Sequence, residues 1–217
     1  MYNLHCHTLL SDGALLPSEI AVRYLAAGYK AIAITDHADY SNIEPLIKAT
    51  LEFTTRWPKD SKLRVLAGIE LTHIVPEHFK HLAQLARAKG AQVIIGHGET
   101  PVEPVINGTN RAALESDIDI LAHPGLITDN DTKLAAEKNI FLEVTSRKGH
   151  NRTNKHVVKQ AKKFGAKLII NMDSHEPKDI ISCAQLIKAA RASGLSAQDI
   201  DRVFSDTEEF IKRQEAG

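Results

Sequence analysis

Cysteine is scarce. The 217 residues hold Cys6 and Cys183 only, too few for the disulfide framework of a small secreted domain. Net charge is missing as well. Lys and Arg number 27, as do Asp and Glu, a balance that argues against gripping nucleic acid by phosphate neutralisation and against a polybasic membrane anchor. No apolar run approaches the roughly 18 residues of a membrane span. The stretch Met1-Tyr2-Asn3-Leu4-His5-Cys6-His7 has neither the basic start nor the apolar core of a secretory signal. A cytoplasmic chain that engages neither membrane nor nucleic acid is the expectation. Linkers, charge blocks, repeats and low-complexity segments are also lacking, so one domain over residues 1–217 is expected. A chain of this size buries about 70% of its unfolded surface and needs no covalent help to form a core.

What the sequence does have is alternation. Short runs, mostly β-branched or Leu-rich, at 2–6, 31–36, 64–70, 91–96, 119–122, 140–145 and 167–172 read as strands of a doubly covered parallel sheet. Helical patterns lie between them. Pro17 opens one that stops at Gly28, and Pro76 opens another with Phe79, Leu82, Leu85 and Ala86 on one face and Gly90 at its end. Residues 153–164 and 177–193 end likewise before Gly165 and Gly194. About seven strand–helix units make an α/β fold that fits a closed barrel better than two domains, with a doubly wound open sheet as the competitor. Residues 196–217 are polar and helical, and are expected to form a terminal helix pair docked outside with a frayed end.

The polar residues sit at telling places. His5 and His7 end the first apolar run, His37 the second, Glu70 the third, His97 the fourth, His123 the fifth, and Asp173 with His175 the last. In parallel barrels the loops beyond the strands' C-terminal ends converge on one face, where active sites are built. His5 and His7 are two apart and so point to one side of an extended backbone, with Cys6 on the other. Asp173-Ser174-His175 repeats that geometry. With Asp12 in the first loop, the imidazole and carboxylate set lacks thiolate and suits Zn, Mn or Fe. Nine candidate ligands exceed one tetrahedral shell and imply two or three ions with a bridging carboxylate. A lone histidine after a strand is usually a capping or core residue. Six of the eleven at corresponding ends are hard to explain by stability, because each buried imidazole needs a partner.

These residues resemble the PHP (polymerase and histidinol phosphatase) superfamily of metal-dependent phosphoesterases. The matching pieces are His5-Cys6-His7-Thr8 with Ser11-Asp12-Gly13, Ile34-Thr35-Asp36-His37, Gly68-Ile69-Glu70, Gly96-His97, Ala122-His123-Pro124-Gly125, Glu143-Val144 and Asp173-Ser174-His175. They occur in family order along the whole chain. The resemblance implies a distorted (β/α)7 TIM-like barrel with a metal cluster at the C-terminal strand ends. It also implies three sites: His5, His7, Glu70 and Asp173 on one ion; Glu70, His97 and His123 on a second; Asp12, His37 and His175 on a third. Asp12 stands where some members have histidine.

The chemistry expected is hydrolysis of a phosphate ester, with water activated between closely spaced cations as nucleophile. The substrate would be a small phosphorylated metabolite such as histidinol phosphate, a nucleotide or a sugar phosphate. Asp173 would also orient that water. After the sixth apolar run, Thr145 to Arg152 concentrates cations. There Arg147 or Arg152 would grip a phosphate and His150 would protonate the leaving oxygen. Arg111, after Asn107-Gly108-Thr109-Asn110, is a weaker phosphate-binding candidate. A PHP-type nuclease is the nearest alternative. An amidohydrolase-like enzyme would carry a lysine at the end of a middle apolar run, and none is there. A metal-binding scaffold without activity would lack ligands, and none is missing.

Overall fold

Alternation along the strands divides the apolar residues into two layers, and the polar cluster sits on top of the inner one. In the computed structural model, which describes residues 1–216, the strands are β1 (Tyr2–Cys6), β2 (Ala31–Ile34), β3 (His37–Ala38), β4 (Arg64–Leu71), β5 (Val93–His97), β6 (Ile120–Ala122), β7 (Phe141–Thr145) and β8 (Leu168–Asn171). All pairings are parallel, in the order β1-β2-β4-β5-β6-β7-β8, with β3 on β4. The run expected at 31–36 is thus two pieces. Thr35-Asp36 breaks it, and β3 resumes beside the end of β4.

Seven parallel strands and the short β3 make a nearly closed barrel. Between β8 and β1 the backbone ladder shrinks to one bridge, Cys6–Ser174. Two asparagine side chains take over there. Leu4 N–H donates to Asn171 Oδ1 at 2.8 Å, and Met172 N–H donates to Asn3 Oδ1 at 2.8 Å. Backbone donors that would otherwise be orphaned at the seam are satisfied.

The inner layer includes Leu4, Ala33, Leu66, Ile95, Ile120 and Ile169. The outer layer sets Ile32, Ile69, Ile94 and Leu142 against helices α1 (Pro17–Ala26), α2 (Ile43–Arg56), α3 (Phe79–Ala88), α4 (Thr109–Leu114), α5 (Asp129–Lys138), α6 (Asn154–Phe164) and α7 (Cys183–Ala192). The inward register then turns polar toward the C-terminal ends. Leu66 is followed two by two by Gly68 and Glu70, Ile95 by His97, Phe141 by Glu143, and Ile169 by Asn171.

Two expectations are corrected. The terminal segment is one helix, α8 (Ala197–Ala216), rather than a pair. Its Phe210 and Ile211 join the inner layer instead of lying outside. Burying each such side chain is worth about 1.5–3 kcal/mol, which is why α8 closes the barrel's lower end. The fraying expected at the very end falls partly on Gly217, outside the described residues. The helix expected from 177 begins at Cys183: Pro177–Asp179 is a separate 3-10 turn, and Ser182 caps α7 by accepting from Gln185 N–H. No helix among the described residues is long and apolar enough to cross a membrane.

Candidate metal centre

Leu4 and His5 are neighbours, yet both face the barrel interior. The irregular register between Asn3 and Cys6 in the β1–β2 pairing permits this. His7 follows beyond the strand end, and Cys6 turns outward into the outer layer. Glu70 and His97 come from straight strands, β4 and β5. His123 and Asp173 follow β6 and β8 with left-handed backbone, φ +27° and +50°. Such conformations are unfavourable for non-glycine residues and concentrate at functional sites. Gly125, at φ +62°, lets the chain turn close behind His123, where an added Cβ would lie 1.9 Å from the Glu99 carbonyl oxygen.

Donors from six strand ends meet at this mouth. His5 Nε2 lies 3.4 Å from Glu70 Oε1 and 3.7 Å from Asp173 Oδ1. His7 Nε2 lies 3.3 Å from Asp173 Oδ1 and 3.7 Å from Glu70 Oε2. His123 Nε2 stands 3.7 Å from Glu70 Oε1 and 3.8 Å from Asp173 Oδ2. Asp12 reaches His37 Nε2 at 3.5 Å and His175 Nε2 at 3.2 Å. Ligand atoms fall within 4.8 Å of one another in the sets His7-Asp12-His37-His175, His5-His123-Asp173, His5-His7-Glu70 and Glu70-His97-His123. The structure therefore brings all nine predicted ligands together, with His7 shared toward the Asp12 group.

The residues fit cations. His5 Nε2, both ring nitrogens of His7, Glu70 Oε1, His97 Nδ1 and His123 Nδ1 are buried without a hydrogen-bond partner. Leaving one such atom unsatisfied costs about 1–3 kcal/mol, so a cluster of them in one place suits a shared cation. The electrostatics agree. Burial, with His97 beside it, pushes His123 well below the ordinary imidazole range, toward the neutral form that can ligate. Burial opposes the charge on Glu70, but His5 and His37 outweigh it and hold its carboxyl well below the usual range. Burial likewise opposes charge on Asp173, and His5 and His7 overcome it.

A supporting shell fixes these ligands. Glu143 Oε1 lies 2.7 Å from His5 Nδ1, and Glu143 Oε2 accepts from His123 N–H at 3.0 Å. Asp36 holds the loop that carries Asp12, accepting from Thr8 N–H at 2.7 Å, Thr8 Oγ1 at 2.8 Å and Ser11 Oγ at 2.7 Å. Both belong to motifs visible in the sequence, but their roles appear only in space. Glu103 was not anticipated. Its carboxylate is 3.0 Å from His97 Nε2 and 3.2 Å from His150 Nε2, with His73 Nε2 at 3.8 Å. It sits in the irregular stretch after β5, where nothing in the local pattern separates it from a solvated acid.

The predicted substrate residues divide. Arg147 reaches the cluster: Nη1 donates to the Asp173 carbonyl oxygen at 3.0 Å and to His175 Nδ1 at 2.8 Å, and Nε is 3.4 Å from Asp173 Oδ2. His150 is buried, its ring centroid 4.3 Å from that of His123. Arg152 lies exposed on the 3-10 turn His150–Thr153. Arg111 is corrected: it lies on α4, and Asp131 of α5 captures its Nε at 2.7 Å, so its charge ties two helices together.

Comparison with known proteins decides the family, for residues 3–174 match the PHP domain. The chain belongs to the PHP-domain family. Across 218 residues this PHP chain is 40% identical to an uncharacterized protein of Methanocaldococcus jannaschii, covering 98% of this chain and 99% of the other. It is 26% identical over 235 residues to the DNA polymerase/3′-5′ exonuclease PolX of Bacillus subtilis, covering 98% of the chain but 41% of PolX. The PHP chain thus spans less than half of that relative. The fold resembles the histidinol phosphate phosphatase of Lactococcus lactis, with a TM-score of 0.63, 16% identity, and coverage of 88% and 91%. The barrel and the PHP assignment follow; the substrate does not.

Proposed function

We propose that this PHP domain hydrolyses the phosphomonoester of a small phosphorylated metabolite, using two or three Zn, Mn or Fe ions held by the nine clustered ligands. The observation that carries the reading is the set of buried, partnerless imidazole and carboxylate atoms converging on one mouth. A cavity of about 470 Å³ opens beside them, lined by Asp12, His37, Asp39, Asn42, His73 and Glu103, a volume in the small-ligand range. The Lactococcus lactis phosphatase, solved with zinc, L-histidinol and phosphate, supports the same reading. When bound, the ions supply an activated water and neutralise the phosphate oxygens.

The chain's own residues do the rest. Asp173 is held far below the ordinary carboxylate range, so it is a weak base and orients the water rather than keeping its proton. Arg147, half-buried beside it, offers a guanidinium edge to a phosphate oxygen. His150 with Glu103 behind its Nε2 forms an acid and its orienting carboxylate, placed to protonate the leaving oxygen. Polar groups on Asp39, Ser41 and Asn42 at the cavity wall receive the organic part of the substrate.

A second reading, cleavage of a phosphodiester, is favoured by the likeness to PolX, whose name includes a 3′-5′ exonuclease. The test is hydrolysis of a phosphorylated-metabolite panel by the purified chain, with and without chelator, alongside metal analysis. Activity abolished by chelation, restored by Mn or Zn, and lost in His5→Ala and Asp173→Ala is expected. Full activity in both variants would sink the proposal.

A further inference from the structure

Glu103 gathers more imidazole than one acid needs. Its Oε2 lies 3.0 Å from His97 Nε2 and 3.8 Å from His73 Nε2, and its Oε1 lies 3.2 Å from His150 Nε2. The rings come from three places: His73 just past β4, His97 at the end of β5, and His150 on the turn after β7. Were all three charged, like cations would crowd a single carboxylate. A shared metal ion resolves this, because neutral imidazoles and a carboxylate are all ligands for it.

The geometry suits such an ion. Zinc holds imidazole nitrogen and carboxylate oxygen at about 2.0–2.2 Å, so two ligands on a tetrahedral ion lie about 3.3–3.6 Å apart. The separations of Glu103 Oε2 from His97 and from His73 fall on either side of that range. Ligand atoms of His73, His97 and Glu103 all lie within 4.8 Å of one another, as those of the main cluster do. The backbone of His73 is held at φ +52°, uncommon for a residue other than glycine. Among the described residues, Glu103 is the acid that pairs with its ring.

Exposure sets this group apart from the cluster. The side chains of Glu70 and Asp173 are almost wholly buried, whereas those of His73 and Glu103 are 51% and 37% exposed. Both line the cavity beside the mouth. An ion there can enter and leave from solvent, and three protein ligands leave one position to water.

We propose that His73, His97 and Glu103 form an additional, exchangeable site for a divalent transition-metal ion such as zinc, and that filling it lowers hydrolysis. Of its three ligands, His97 alone also belongs to the nine. Its Nε2 faces Glu103 and its Nδ1 is buried without a partner, so each nitrogen can serve a different ion. The ring then bridges as imidazolate, and its N–H proton passes to water. The inhibitory part rests on the hydrolase reading: there Glu103 supports His150 as the acid, and an ion on the carboxylate takes that support away.

Zinc titration of the intact chain by calorimetry should resolve the cluster's binding from a weaker phase of one ion per chain. Asparagine tolerates left-handed backbone, so His73→Asn removes the imidazole with little strain. In His73→Asn and in Glu103→Gln this phase should weaken at least about tenfold, with a native circular dichroism spectrum. Asp12→Asn removes a cluster ligand and should leave the phase in place. Absence of a weak phase, its survival in both His73→Asn and Glu103→Gln, or its loss in Asp12→Asn overturns the site. Hydrolysis of p-nitrophenyl phosphate should fall about tenfold or more as the phase fills, since general-acid catalysis is worth about 10²–10⁴-fold. His73→Asn should be spared that fall. Hydrolysis that ignores filling overturns the inhibitory role. A chain that binds the extra ion yet hydrolyses no phosphate ester keeps the site and refutes the hydrolase reading.

Discussion

Glu143 Oε1 stands 2.7 Å from His5 Nδ1, with both side chains wholly buried beneath the cluster. A carboxylate only accepts, so this contact puts a ring proton on Nδ1 and turns Nε2 toward Glu70 and Asp173. The other Glu143 oxygen takes the His123 N–H, and Asn171 Nδ2 donates to Oε1 at 3.0 Å. One acid thus orients two ligands from different strands.

Glu143→Gln is nearly isosteric but can present an amide donor to the His5 ring. Metal affinity, measured by titration calorimetry with Zn or Mn, should fall about 10–100-fold while the circular dichroism spectrum stays native. An unchanged affinity would remove Glu143 from the supporting shell.

Asp36 satisfies three donors of the first loop, and its loss leaves them buried or drifting. Asp36→Ala should cost about 2–4 kcal/mol in urea unfolding, the range for breaking a buried hydrogen-bond network. Because Asp12 rides on that loop, metal stoichiometry should drop as well. Normal stoichiometry would mean that Asp12 is placed by other contacts.

Gly125→Ala sets a Cβ against the Glu99 carbonyl oxygen and demands positive φ from alanine. We expect destabilisation beyond about 2 kcal/mol and a lower Tm, with Gly28→Ala as the comparison. Gly28 also has positive φ but open space around it, so its substitution should show the backbone penalty alone, about 1 kcal/mol. Equal effects at the two sites would dismiss the close approach behind His123.

Far from the cluster, Ser196 and Asp199 exchange caps at the start of α8, and Lys162 lies 2.7 Å from Asp199. Lys162, then the Ser196 hydrogen bonds, lower Asp199 from 3.8 to about 2. A lowered carboxyl stabilises the fold above its unfolded value and loses that contribution as pH falls toward about 2. Solvent screening keeps the effect near 0.5–1 kcal/mol. Urea midpoints of wild type and Asp199→Asn should differ above pH 4 and converge at lower pH. A constant difference across the range would contradict the linkage.

The strand runs and the convergence of the candidate ligands are legible because both depend on local rules. Doubly buried parallel strands must be apolar throughout, and a ligand must follow where the strand leaves the sheet, so Ile94-Ile95 predicts a strand and His97 its functional end. Arg111 and Glu103 were misjudged or unseen for the opposite reason. Their roles depend on Asp131 and on His97 and His150, partners the local sequence does not specify. The break at Thr35-Asp36 was equally hidden, since Asp36 leaves the strand to serve Thr8 and Ser11.

The order of strands, the family motifs and the identity of the clustered donors are set by the chain itself, because periodicity and residue chemistry survive without coordinates. Which nitrogen each histidine offers, which acid supports it and where α8 packs are decided only on folding. These depend on distances between residues far apart in sequence, and such distances exist only once the barrel has closed.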